Sequence, residues 1–470
     1  MATRHASLDG PLVIIGCGSI TRGLLPLLER HIGFDHKLCT VIEPDCLQAG
    51  FLSDHGVRHL RLGLTNETYR AVLGPLLSPG TGFLLNLAVN VSSYDLMRFC
   101  QERGVLYLDT VTEPWPGFYF ADNRPLAGRT NASLRAPIRA LKAHDARGPT
   151  AVSCCGANPG AVSWLLKEAL LRLAHDGGLP DEAPASRDGW ARLMGALGVK
   201  GVHIAERDTQ VSARPKPAGT FVNSWSVDGL LSEGYQPAEL GWGSHERTLP
   251  PGGQLSVEGY CNSLWLNRPG AETRVRSWCP GHGAQMGYLI THNEALSIAD
   301  YYSIDDGSGP VYRPTSAYVY HPCNDAILSF HETSGAGRLP DAKHILTAEE
   351  IVSGGDELGL LLYGPERALW YGSRLSIDEA RRLAPGQNAT TLQVTSAVLA
   401  AMVWAIENPQ AGIVEADEMD HVRCQEIQRP YLGRVEARYT DWTPLTCRIG
   451  GLPPGPDDTD PWQFSNFLVD

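Results

Sequence analysis

Gly16 and Gly18, separated only by Cys17, end the apolar run Leu12-Val13-Ile14-Ile15. Glycines in this spacing let a backbone approach a bulky anion closely. A helix beginning just after them presents unpaired N–H groups and the positive end of its dipole to that anion. Ser19 and Ile20 open such a segment, with Leu24, Leu25, Leu27 and Leu28 at helical spacing. A second apolar stretch, residues 38–42, stops at Glu43, whose carboxylate can accept hydrogen bonds from a ribose. Strand, glycine turn, helix, strand and acid in this order form the βαβ layout that binds dinucleotides. The place of the usual third glycine is taken by Thr21. Glu43 has no basic neighbour in sequence, which favours NAD over NADP, because a 2′-phosphate would meet like charge.

Other residues with chemical potential lie far downstream. Glu206 follows the apolar stretch Val202-His203-Ile204-Ala205, Trp225 lies within Asn223-Ser224-Trp225-Ser226-Val227, and Glu233 precedes Gly234-Tyr235. His292 and Glu294 flank Asn293 before a short helix. Each has an ordinary reading: a tryptophan among strand residues is usually core, and a lone glutamate is usually solvated. A cationic substrate would unite them. Ammonium groups need carboxylates, and an indole face stabilises a nearby cation by about 0.5–2 kcal/mol. A glutamate beside a nicotinamide could also take a proton from an amine as hydride leaves. No metal is expected: His321-Pro322-Cys323 and His282 are the nearest to clusters and lack ligand spacing.

The elements that must position these groups read as an α/β chain. Strands are expected at 58–62, 83–87, 105–108 and 150–153, and helices at 66–77, from Ser92 or Ser93 to about Arg103, at 134–144 and at 161–173. The first of these helices would be capped by Asn66. Continuous apolar strands suit a parallel sheet covered on both faces. Ligands of such sheets bind beyond the strand C-termini, where Asn90, Asp109, Thr110 and the Asn158-Pro159-Gly160 turn fall. After Gly198 the alternation is lost. Strands are expected at 199–204, Val211, 221–222, 225–227, 255–260, 273–278, 316–321 and 326–330, giving a mixed or antiparallel sheet. The resulting organisation is a Rossmann-like domain over 1–160, to which 385–425 returns by way of a helix at 389–407. A large α+β substrate and dimerisation domain is inserted over 161–384, and a partly irregular C-terminal segment covers 426–470.

The chain of 470 residues is 43% hydrophobic, enough for two or three domains with large cores. A net charge of −13 argues against nucleic acid as a partner and suits cationic small molecules, although acidic enzymes are common. The 11 cysteines include no C-x-x-C pair, which points to reduced thiols in a cytoplasm. No signal peptide is evident. The apolar stretch 392–406 is expected to be a buried helix too short to span a bilayer.

Several of these segments together resemble the bacterial homospermidine synthases. They are Ile14-Ile15-Gly16-Cys17-Gly18-Ser19-Ile20, the loop from Asp109-Thr110 through Glu113-Pro114-Trp115 to Pro116, Gly156-Ala157-Asn158-Pro159-Gly160, and the segments around Trp225, Glu233 and His292-Asn293-Glu294. The similarity runs nearly end to end, with saccharopine and carboxynorspermidine dehydrogenases as wider fold relatives. The resemblance implies a homodimer that holds NAD tightly as a prosthetic group. It would convert two putrescines to homospermidine and ammonia, or act on putrescine and spermidine, without net redox change. Trp225 would hold cations on its π face, Glu206 and Glu233 would bind or deprotonate amines, and His292 and Glu294 would position substrate or relay protons. Glu113 would sit near the pocket entrance or the amine end. The implied cofactor contacts are Gly16, Gly18, Ser19, Ile20, Glu43, Asn90, Thr110, Asn158 and Pro159, with Asn158 also near substrate. At position 90 an amine-binding carboxylate would be expected, so Asn90 is not assigned to an ammonium. The rival readings are a reductive-amination dehydrogenase of the saccharopine type, for which Arg207, Arg214 and Lys216 could hold a substrate carboxylate, and a non-catalytic NAD-binding sensor.

Overall fold

The computed structural model describes residues 3–45, 47, 49–121, 123–144, 147–256, 263–307, 309–364, 366–446 and 459–469. The chain divides into two compact units. The first comprises Met1–Asn123, Leu134–Ala161 and Ala380–Tyr431, and the second comprises Arg124–Ser133, Val162–Glu379 and Leu432–Asp470.

The first unit is built on a parallel sheet. Among the described residues its strands run in the order Ile413–Glu415, Ala151–Ser153, Leu106–Asp109, Phe83–Asn86, Leu12–Ile15, Cys39–Ile42, Arg58–Leu60. Leu12–Ile15 and Phe83–Asn86 are buried throughout, as strands covered on both faces should be. The helix after Phe83–Asn86 starts at Ser92, whose hydroxyl accepts from the Asp95 N–H at 3.2 Å, and ends at Gly104 in the left-handed region. The expected helix at 66–77 shrinks to Tyr69–Leu73. Its N-cap is Thr68 rather than Asn66, because Thr65 and Thr68 close a turn upon each other first. The strand Ile413–Glu415, which pairs with Ala151–Ser153, is not evident from the sequence.

The helix Ala389–Glu407 also belongs to the first unit. It has the expected bounds, runs 19 residues and is long and apolar enough to cross a membrane by length and composition. It is nevertheless buried inside the fold, packed against Ser19–His31 and His421–Gln428.

The second unit centres on a mixed sheet. Its main path runs Gly253–Leu255, Ser263–Pro269, Pro237–Gly241, Thr315–His321, Gly201–Asp208, Gly355–Tyr363, Ala368–Ser376, Arg434–Thr440. The pair Thr315–His321 and Gly201–Asp208 is parallel, and its neighbours on the path are antiparallel. Side chains alternate between the two faces of such a sheet. Ala205, Ala238, Leu240, Ala317, Val319 and Leu361 fall in one apolar cluster. Glu206, Asp208, Glu239, Tyr318 and Tyr320 interleave with them in sequence and take the opposite face.

Two expected strands do not form. Residues 326–330 lie inside the helix Asn324–Ala336, which ends at Gly337 in the left-handed region. Residues 225–227 lead into the helix Val227–Tyr235, because the Ser226 hydroxyl caps it by accepting from the Gly229 N–H at 3.0 Å. Of the expected strand at 255–260, Gly253–Leu255 forms and residues 257–260 lie outside the described residues. Of the tail expected to be partly irregular, residues 447–458 lie outside the described residues, and two short elements follow them. Phe464–Phe467 is helical, Leu468–Val469 pairs with Arg274 and Val275, and Phe464 and Phe467 are buried in the apolar cluster.

Candidate functional site

In the first unit the glycine turn has the geometry its sequence predicts. Gly16 has φ +91°, and a Cβ there would lie 3.0 Å from the Leu87 carbonyl oxygen, so both backbone and space demand glycine. Gly18 differs. Its φ is −75°, and a Cβ would meet no protein atom within 4 Å. Gly18 is the N-cap of the Ser19–His31 helix and no side chain caps it, so the first-turn N–H groups, with Ser19 and Ile20, stay available. A cradle with space above Gly18 and a bare helix terminus fits a pyrophosphate.

The carboxylate of Glu43 accepts the Cys17 N–H at 2.7 Å and the Asp45 N–H at 3.1 Å. It pins the turn to the end of the second strand, and its remaining lone pairs can serve ribose hydroxyls. Thr21 is buried, and its hydroxyl donates to the Gly16 carbonyl at 2.8 Å, so it stabilises the turn from beneath. The close helix approach falls instead to Gly23, where a Cβ would meet the Gln387 side chain at 2.5 Å and whose carbonyl accepts from Gln387 Nε2 at 2.9 Å. Gly23 carries no signal in the glycine spacing and is found only from the packing of the returning helix.

The strand-end residues are held by local bonds. Asn90 has φ +62°, and its N–H donates to the Glu113 carboxylate at 3.1 Å, which also accepts the Tyr119 hydroxyl at 3.4 Å. The Glu113 backbone is clamped to Ser93 in both directions. Asp109 is fully buried and accepts the Cys154 N–H at 2.6 Å and the Tyr107 hydroxyl at 2.7 Å. Burial pushes its carboxyl up to about 6 against the pull of those bonds. Thr110 follows Asp109 directly. Asn158 and Pro159 form a tight loop in which the Gly156 N–H donates to the Pro159 carbonyl at 2.6 Å. Gly160, at φ +131°, closes that loop where no Cβ could fit.

In the second unit the structure gathers all five singled-out side chains. His292 lies between two carboxylates, its Nε2 3.1 Å from Glu233 and its Nδ1 3.1 Å from Glu294. Burial opposes its positive charge, but Glu294 and Glu233 outweigh that cost and hold the imidazole well above its usual range, as an imidazolium. Glu233 comes from the Val227–Tyr235 helix. His292 is the N-cap of Asn293–Tyr301, and Glu294 lies in that helix's first turn, where its charge complements the dipole.

The imidazole stacks on Tyr318, with centroids 4.2 Å apart and planes at 29°. Tyr318 stacks in turn on Tyr320 at 5.4 Å and donates its hydroxyl to Glu206 at 2.7 Å. Trp225, half-buried, donates its indole N–H to the Tyr320 hydroxyl at 3.1 Å, and its ring lies over Gly229. Glu206, Glu233 and Glu294 are all buried. With His292 charged, these four groups carry a net charge of −2 when the carboxylates are ionised.

Sequence reasoning missed Tyr318 and Tyr320, which connect the set, and also Asp208 and Glu239. Asp208 stands directly across the strand pair from Asp356, both buried. It accepts the Ser224 hydroxyl and the Gln210 N–H, and burial pushes it up to about 6. Glu239 accepts the Asn131 N–H at 2.7 Å and the hydroxyl of Thr291, the residue before His292, at 3.1 Å, and burial pushes it up to about 7. The available signal was alternation: Glu239 between Ala238 and Leu240, and Tyr318 and Tyr320 around Val319, are polar or amphipathic residues at every second position, which marks a second face. Among the described residues no cluster of three or more His, Cys, Asp or Glu groups has the arrangement to hold a metal.

Comparison with known proteins agrees with both units. The family model described as the saccharopine dehydrogenase NADP binding domain matches residues 12–152, and the one described as the saccharopine dehydrogenase C-terminal domain matches residues 156–441. A homospermidine synthase from Blastochloris viridis is 55% identical over 466 residues, 98% of this chain and 98% of its own. Another, from Mesorhizobium japonicum, is 54% identical over 472 residues, covering 99% of this chain and 97% of its own. The crystal structure of the homospermidine synthase from Legionella pneumophila in complex with NAD superimposes with a TM-score of 0.91 at 40% identity, covering 99% of this chain and 98% of that one. Identity at this level along nearly the whole length, on a matching fold, means that the chain belongs to the homospermidine synthase family.

Proposed function

We propose that this protein is an NAD-dependent homospermidine synthase, which joins two putrescines into homospermidine and releases one ammonia. The observation that carries this reading is the buried acidic and aromatic face of the second unit: Glu206, Glu233 and Glu294 around the His292–Tyr318–Tyr320 stack and Trp225. Three buried carboxylates around one imidazole suit a diammonium substrate, and the half-buried indole gives an ammonium or iminium cation a face to rest on. A substrate carboxylate, which a reductive-amination enzyme would have to bind, would be repelled there.

NAD held at the Gly16–Gly18 turn would take hydride from an amine carbon and return it to the imine formed with the second amine. The glycine turn and the Ser19–His31 N-terminus hold its pyrophosphate, and Glu43 its adenosine ribose. Asn90, Thr110, Asn158 and Pro159 complete the cofactor contacts at the strand ends. Glu206 and Glu233 accept the protons that an ammonium must lose before hydride can leave its carbon. Attack of the second amine on the first imine forms a new carbon–nitrogen bond, and the departing nitrogen must be protonated to leave as ammonia. His292, kept cationic by Glu233 and Glu294, is the group suited to give that proton. Trp225 holds the positive charge of the intermediates on its π face.

The protein acts as a homodimer, a state that sedimentation would test. The described free thiols, Cys17 and Cys154 among them, fit a reducing cytoplasm. Incubation with NAD and putrescine should give homospermidine and ammonia in equal amounts with no accumulation of NADH. Stoichiometric NADH formation, or no product from any diamine, would overturn the reading.

A further inference from the structure

The side chain that joins the two halves of the acidic face is Tyr318, which could be no more than a buried core aromatic. Its surroundings distinguish it from one. It lies on Thr315–His321, opposite Ile204 in the parallel register, and its hydroxyl reaches two positions onward along Gly201–Asp208 to Glu206. The hydroxyl–carboxylate distance is 2.7 Å, the length of a charge-assisted bond. The other face of its function is the ring, which lies nearly parallel to the His292 imidazole at 4.2 Å. A phenol face attracts a cation, so the contact favours the imidazolium and fixes the plane in which it presents its N–H bonds. One residue therefore touches both the buried base and the buried acid of the site.

We propose that Tyr318 is a positioning residue of the amine site, its hydroxyl orienting the Glu206 carboxylate and its ring holding the His292 imidazolium. The proposal rests on the reading of the function above. It divides the residue into two separable parts. Phenylalanine keeps the ring and loses the hydroxyl, and leucine loses both.

The titratable groups facing the pair are known on each element. His292 meets Glu233 from Val227–Tyr235 and Glu294 from its own helix. Glu206 has Asp208 two positions along its strand, Tyr318 and Tyr320 on the neighbouring strand, and Asp356 across from Asp208 on the third. Removing the Tyr318 hydroxyl leaves all of these charges in place and takes away one donor that favours the ionised carboxylate.

The test combines turnover with two readouts that need none. In Tyr318→Phe, kcat with putrescine should fall about tenfold, as for loss of a hydrogen bond to a charged group, and the acid limb of the rate profile should move to higher pH. NAD binding should be unchanged. The infrared carboxylate band of Glu206, identified by its loss in Glu206→Gln, should shift, while the NMR titration of selectively labelled His292 should stay in place. In Tyr318→Leu the His292 titration should move to lower pH as well. A Tyr318→Phe enzyme with wild-type kcat, pH profile and Glu206 band would overturn the proposal, as would a Tyr318→Leu protein in which His292 titrates unchanged. Should wild-type protein make no homospermidine, the reading of the function fails, and the infrared and NMR results still decide the role of Tyr318. Should Tyr318→Leu not fold, Tyr318→Phe alone decides it.

Discussion

The glycine turn of the first unit and the acidic face of the second solve opposite problems. Between Leu12 and Glu43 the ligand-facing features are consecutive in sequence. The cradle is made of backbone, and Glu43 closes it with a single bond to Cys17. In the second unit, by contrast, Glu206, Glu233, Trp225 and the pair His292 and Glu294 come from a strand, a helix, a loop and a helix start far apart in sequence. Glu233 and Glu294 meet directly at His292, and Tyr318 and Tyr320, on one strand, join that trio to Glu206 and Trp225. The anion site uses the dipoles of the chain itself. The cation site needs ionised side chains taken out of water, and these are tolerable only when each is paired or hydrogen-bonded. That requirement explains why His292 is clamped on both nitrogens.

If the two regions are separable in this way, a change in one should spare the other. The largest effect is expected for Glu233→Gln. It removes one of the two carboxylates that hold His292 charged, and putrescine turnover should drop about a hundredfold or more, the range for loss of acid–base function. NAD affinity, measured by calorimetry, should stay at the wild-type value.

The glycines sharpen the comparison from the other side. Gly18→Ala should fold normally, because its φ is ordinary and its Cβ meets open space, but should weaken NAD binding about tenfold or more by filling the cradle. Gly16→Ala should instead lose about 1–3 kcal/mol of stability in denaturant titration, from its positive φ and the close Leu87 carbonyl. In neither should the His292 titration move.

The same contrast governs what the sequence could reveal. The parallel sheet of the first unit was legible because a strand buried on both faces is a continuous apolar run, and the turn between two such runs is marked by glycine. The strand Ile413–Glu415 was not, since three residues with one acid carry no pattern. In the second unit local propensity misled at two places. Trp225-Ser226-Val227 has β-forming residues, but Ser226 caps a helix. The 326–330 stretch is a short apolar run in which strand and helix look alike, and only Gly337, the left-handed stop, marked the helix. The site carboxylates could be named singly. Their assembly could not, because Tyr318 and Tyr320 read as core aromatics and the register that aims them at Glu206 and Trp225 is a tertiary fact.

Two smaller effects should follow. Trp225→Phe keeps a π face of weaker attraction, so kcat/KM for putrescine should fall several-fold, about 1 kcal/mol, with little change in melting temperature. A larger loss of stability would mean that the indole is core. The smallest effect concerns Asp109. Burial raises its carboxyl to about 6 in the folded chain, so between about 4 and about 6 the folded state binds more protons than the unfolded one. Its contribution to stability is therefore present at low pH and declines as pH rises through that window. Asp109→Asn should flatten this part of the stability profile without altering amine specificity.

The central claim is that hydride is borrowed from one amine and returned to its imine partner while the cofactor stays in the Gly16–Gly18 cradle. Putrescine deuterated at both amine-bearing carbons, supplied with enzyme, NAD and an excess of unlabelled NADH, tests it directly by mass spectrometry of the homospermidine formed. The account predicts that every carbon-bound deuterium is retained. Replacement of one deuterium by hydrogen in each product molecule would show that the cofactor leaves between the two half-reactions and would contradict it.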